Sequence, residues 1–83
     1  MDYAIVVLSS VTYARRVQTE CEKRGIISTI GHTPKKIARR GCSFMIKVSM
    51  KNLKAVLDVI DGLMLKTYGI YKKTGEDSYD LLG

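Results

Sequence analysis

One long stretch of this 83-residue chain has no acidic residue: none stands between Lys23 and Leu57. Nine of the 14 Lys and Arg residues lie there: Lys23, Arg24, Lys35, Lys36, Arg39, Arg40, Lys47, Lys51 and Lys54. The rest of the chain carries 5 basic and 8 acidic residues, and Glu76, Asp77 and Asp80 make its C-terminal end anionic. A cationic half of this kind suits an anionic ligand, partner or reaction intermediate. The competing reading is a solvated surface that simply lacks acids.

Other scarcities exclude whole classes. No apolar run approaches the ~20 residues that span a bilayer, so no membrane segment is expected. The apolar start, MDYAIVVL, opens on an acid and has no basic residues before it, so no cleaved signal peptide is expected. Two cysteines without a Cys-rich spacing make no disulfide framework and fit a reducing cytoplasm. With one histidine beside them, no tetrahedral zinc set exists. No Ser-His-Asp motif and no glycine-rich phosphate loop is present, so neither a metal nor a cofactor is expected. At this length one domain is expected. Hydrophobic residues make up 46% of the chain, enough for one core, which excludes a wholly disordered chain.

What is there reads as alternating strands and helices. Asp2–Leu8 is a β-branched run, apolar on both alternating faces, as in a strand at the middle of a sheet. Ser9 or Ser10 can cap a helix over Val11–Arg24, with Ala14, Val17 and Cys21 on one face and Gly25 as its stop. Ile26–Ile30 reads as a second strand ended by Gly31, and Cys42–Val48 as a third. Ser49 can cap a second helix over about residues 50–61, with Leu53, Val56, Leu57, Ile60 and Met64 on one stripe and Gly62 as its stop. Residues 66–72 read as a fourth strand. Residues 74–83 show no period and read as an acidic tail after a single domain over residues 1–73.

The order β-α-β-β-α-β predicts an α+β, ferredoxin-like sandwich. It would have a four-stranded antiparallel sheet with both helices on one face. Right-handed crossovers put strands one and three in its centre. The other face is then expected to expose Tyr3 or Ala4, with Val6 and Leu8 or their neighbours, a surface suited to a partner such as a second copy of the chain.

Chemistry concentrates in the connector His32–Ser43. Thr33 followed by Pro34 predicts an N-cap with proline at the first helical position, starting one short turn ended by Gly41. Cys42 follows at the strand entrance, within seven residues of Lys35, Lys36, Arg39 and Arg40. Positive charge favours a thiolate over a thiol, and the thiolate is the nucleophile. The same cations suit a terminal persulfide or selenide anion. Gly41 leaves room for a substrate, and His32 and Ser43 are auxiliary candidates. Against this stands the common role of a lone cysteine beside a strand, a small buried hydrophobe. Cys21 completes the stripe of Ala14 and Val17 and reads as core, with a resolving thiol as the other reading.

Five features carry a family resemblance over residues 3–73. They are the apolar first strand, Gly25-Ile26 after the first helix, Thr33-Pro34, a cysteine eight residues after the proline, and Gly69-Ile70-Tyr71. In these the chain resembles the small bacterial selenium/sulfur carrier protein-like family. Members typically carry a Cys-Gly pair preceded by small serines. Here Cys42 is retained, Ser43 replaces the glycine, and Arg39, Arg40 and Gly41 stand where small polar residues are usual. The resemblance implies a carrier of sulfur or selenium as a Cys42-bound persulfide or perselenide, working between donor and acceptor proteins rather than as a complete enzyme. Two other functions fit the same element order. An RNA-recognition module is suggested by Arg40-Gly41-Cys42-Ser43-Phe44-Met45-Ile46-Lys47, which has the basic-glycine start but only one of three aromatics, Phe44. A non-enzymatic regulatory or dimerisation domain is the third.

Overall fold

The computed structural model describes residues 2–35, 37, 44–76 and 78–83. The strands are β1 (Tyr3–Leu8), β2 (Ser28–His32), β3 (Phe44–Ser49), β4 (Gly69–Lys73) and β5 (Tyr79–Leu81). The helices are α1 (Val11–Lys23) and α2 (Leu53–Gly62), the latter preceded by a 3-10 turn over Met50–Asn52. The sheet order is β2-β3-β1-β4-β5, with every neighbouring pair antiparallel.

The ends of α1 follow from local chemistry. The Ser10 hydroxyl accepts from the Tyr13 N–H at 3.3 Å. At the other end Gly25 adopts φ 75°, its N–H donates to the Glu22 carbonyl, and the Ile26 N–H donates to the Cys21 carbonyl. This six-residue closure satisfies the last carbonyls and turns Ile26 back onto the buried Cys21. It also explains why β2 begins later than the apolar run suggests. Ile26 belongs to the cap, Ile27 is 84% exposed, and the strand starts at Ser28 and reaches His32. The Gln18 side-chain amide donates to the Ser28 carbonyl at 3.2 Å, tying α1 to this outer strand.

Both helices pack on one face. Ala4, Val6 and Leu8 of β1 and Ile46 and Val48 of β3 meet Ala14, Val17 and Cys21 of α1 and Val56, Val59 and Ile60 of α2. Leu53 and Leu57 pack at the margin of this core. The opposite face therefore carries Tyr3, Ile5 and Val7, not Ala4, Val6 and Leu8. It is not a bare apolar surface either: Ile5, Val7 and Tyr71 are buried there beneath Ile37, Met45 and Tyr79.

The sheet has five strands where four were expected. The fifth arises within the segment expected to be a tail. A turn across residues 74–78 is closed by the Thr74 N–H donating to the Ser78 carbonyl at 2.9 Å. Lys72 stands directly opposite Asp80, and Tyr79 reaches the buried patch of Ile5, Val7 and Tyr71. Three residues are too few to show a period, so tertiary packing rather than pattern defines this strand.

The end of α2 also departs from expectation. Gly62 is its last helical residue, and Met64, expected on the buried stripe, is 91% exposed with φ 60°. The Met64 N–H donates to the Asp61 carbonyl and the Leu65 N–H to the Ile60 carbonyl, the same closure that Gly25 makes after α1. Here an L-residue occupies the left-handed position, which costs roughly 1–2 kcal/mol. Met64→Gly relieves that strain without removing packing. After the added unfolded-state entropy is subtracted, it should stabilise the fold by about 0.5–1 kcal/mol. Urea denaturation should show this as a higher midpoint at unchanged slope.

Candidate functional site

The connector leaves the sheet at His32 and returns at Phe44. These two residues are directly paired across β2 and β3, and their rings lie 5.0 Å apart at 35°. His32 is exposed, whereas Phe44 is half-buried and packs on the helix-side core. After His32 the chain makes a turn in which the Ile37 N–H donates to the Pro34 carbonyl at 3.0 Å. Thr33 is buried, and its hydroxyl oxygen has no hydrogen-bond partner among the described residues, so the expected cap by this side chain is not made there. Lys35 is exposed. Lys36, Arg39, Arg40, Gly41, Cys42 and Ser43 lie outside the described residues.

Ile37 is the connector residue that sequence reasoning passed over. It stands between two pairs of cations, yet it packs on the second face of the sheet against the patch of Ile5, Val7 and Tyr71. The only signal in the sequence is one large aliphatic side chain inside a polar run, and no periodic partner supports it.

Of the two cysteines, Cys21 lies among the described residues. Cys21 is wholly buried in the helix-side core. Burial pushes its thiol above the ordinary range; Arg24 draws it partly back, and Glu20 pushes it further up. It is therefore a packed, protonated side chain at neutral pH.

The expected aromatic of a nucleic-acid platform is also misplaced. Such a platform stacks bases on the face away from the helices, whereas Phe44 faces toward them. The away-facing side instead holds a groove of about 480 Å³, lined by Tyr3, Thr29, Lys47, Ser49, Lys51 and Asn52 among others. In it the Lys47 ammonium lies 4.5 Å from the centre of the Tyr3 ring. This groove is at the start of β1, the strand end opposite His32 and Phe44.

Among the described residues, no group of three or more His, Cys, Asp or Glu could hold a metal ion. No helix among them is long and apolar enough to cross a membrane. The model of the family described as Putative Se/S carrier protein-like matches residues 2–72. The match spans most of the chain, including Cys42, and the chain belongs to that family. No curated protein matches it.

The buried thiol gives a pH prediction. The folded state raises the Cys21 pKa, so the native chain holds a proton that the unfolded chain loses first. Its stabilisation is complete below the unfolded value of about 8.5 and is lost as pH rises through the folded value. Denaturation midpoints should fall from about pH 8.5 upward, and Cys21→Ala should flatten that alkaline slope while lowering stability at pH 7. An equal slope in both proteins would contradict the assignment.

Proposed function

We propose that this protein carries sulfur or selenium as a persulfide or perselenide on Cys42. The observation that carries the reading is the family match across the connector, combined with the burial of Cys21. The chain has two cysteines, and one is locked in the core, so Cys42 is the thiol left for chemistry.

The step needs no cofactor. The Cys42 thiolate attacks the outer sulfur of a donor persulfide, R–S–SH. The donor S–S bond breaks, R–S⁻ leaves and takes up a proton, and Cys42 becomes Cys–S–SH. Selenium transfers in the same way to give Cys–S–SeH. Lys35, Lys36, Arg39 and Arg40 supply positive charge that favours the attacking thiolate and the charged terminal atom. His32, Gly41 and Ser43 are the auxiliary residues of this reading: a nearby base, room for the donor, and a small polar neighbour. The protein then acts once per load, as a carrier between donor and acceptor proteins, and a reducing cytoplasm suits such chemistry. We read the first four strands and two helices as a ferredoxin-like sandwich to which β5 is an addition.

The test is intact mass after incubation with a persulfide (R–S–SH) or perselenide (R–S–SeH) donor. The expected product gains roughly 32 Da or roughly 79 Da, one sulfur or selenium atom, and loses it on adding a thiol reductant. Cys42→Ser should abolish the gain and Cys21→Ser should keep it. At pH 7, iodoacetamide should label Cys42 at least about tenfold faster than Cys21, the effect of one pKa unit. An adduct on Cys21, or none on either residue, would defeat the reading. Tight RNA binding by both wild type and Cys42→Ser would favour the nucleic-acid alternative instead.

A further inference from the structure

The acid-free stretch of the chain does not serve the connector alone. Lys23 and Arg24 close α1, Lys47 stands near the end of β3, and Lys51 and Lys54 open the 3-10 turn and α2. These elements meet at the end of the sheet where β1 starts. The groove of about 480 Å³ lies at that end, and Gly25 after α1 and Asn52 before α2 both line it.

The lining of this groove contains no acidic residue. Asp2, next to it in sequence, is paired with Lys72 at 3.8 Å instead. Among the described residues the other ion pair is Lys23 with Glu20, so Lys47 and Lys51 have no carboxylate partner there. Lys51 is exposed, but Lys47 is half-buried. A cation partly withdrawn from water usually has an anion beside it. The Lys47 ammonium instead lies over the Tyr3 ring, a contact that fixes its place and leaves its charge unneutralised. Ser49 and Asn52 stand at the N-cap positions of the 3-10 turn and of α2. Neither side chain makes the cap hydrogen bond expected of such a position. The Ser49 hydroxyl and the Asn52 amide therefore bring hydrogen-bonding capacity into the groove.

Two ammonium groups with hydroxyl and amide donors match an anion of more than one charge and several acceptor oxygens. A phosphate monoester has a charge of about −1.5 to −2 at pH 7 and three such oxygens, whereas a carboxylate has one charge and two oxygens. The Tyr3 ring and Ile27, which is 84% exposed, add apolar wall to the same groove. A ligand that uses them has a planar or apolar body beside its anionic group.

We propose that this groove binds a small phosphate monoester with a planar or apolar body, of which a nucleoside monophosphate is the simplest. Lys47 and Lys51 hold the phosphate, and Tyr3 and Ile27 meet the body. The site does not rest on the carrier reading, because it lies at the strand end away from His32 and Phe44, where the connector is attached.

The test is an NMR titration of the ¹⁵N-labelled full chain with adenosine monophosphate, adenosine, inorganic phosphate, a single-stranded oligouridylate and an acidic peptide. Adenosine monophosphate should shift the amides of Tyr3, Thr29 and residues 47–52. It should bind at least about fivefold tighter than adenosine or inorganic phosphate, because both parts of the ligand contribute. Lys47→Gln and Lys51→Gln should each weaken it at least about fivefold, the loss of one charge-assisted contact. Lys66→Gln, at a separate depression with Ser9 and Tyr13, should leave it unchanged. Should Lys47→Gln fail to fold, the exposed Lys51 decides through its own variant. Unshifted groove amides at millimolar adenosine monophosphate overturn the proposal. Equal affinity for inorganic phosphate, an adventitious ion only, also overturns it, as does a Lys66→Gln effect as large as that of Lys47→Gln. An oligouridylate or acidic peptide that binds through Lys47 at least about tenfold tighter than adenosine monophosphate overturns it in favour of that partner. None of these readouts involves Cys42, so they leave the carrier reading to its own mass assay.

Discussion

The burial of β1 on both faces is the constraint from which the architecture follows. Ala4 to Leu8 are all buried, and successive side chains alternate between the two sides of the sheet. Burying an Ile or Val side chain fully is worth about 1.5–3 kcal/mol, so neither face can be left to water. On one side Ala4, Val6 and Leu8 are covered by α1 and α2. On the other, Ile5 and Val7 are covered by Tyr71, Met45, Tyr79 and the connector residue Ile37. The second cover is thin, and it comes from segments that are not helices. A connector that carries the cations therefore also contributes to closing the core.

Much of this was legible because it is periodic. The stripe Ala14, Val17 and Cys21 identifies the buried face of α1, and the β-branched run of β1 identifies a central strand. What escaped has local or tertiary causes. The start of β2 shifts because Ile26 is used to close α1. Met64 leaves the stripe of α2 because the helix closure places the left-handed residue at Met64, two residues after the glycine expected to stop the helix. β5 is too short for a pattern and exists because Tyr79 finds the patch on the second face. The face of Phe44 follows from register, which a strand's composition does not reveal.

The candidate site was legible to a different degree. The cluster of Lys35, Lys36, Arg39, Arg40 and Cys42 is visible in sequence alone, as is the helical position that keeps Cys21 in the core. Ile37 was not, since an isolated aliphatic residue among cations has no periodic partner and it packs on a patch formed by residues of β1 and β4. The family match and the burial of Cys21 are what support the proposed assignment of the chemistry to Cys42.

The central claim is that Cys42 is the low-pKa thiol of the pair. Its most direct test is an NMR titration of the folded protein labelled with ¹³Cβ cysteine, in which both residues report in one spectrum. The account predicts that Cys42 titrates below the ordinary thiol value of about 8.5 and at least about one unit below Cys21. A Cys42 that titrates at or above that value, or together with Cys21, would contradict it.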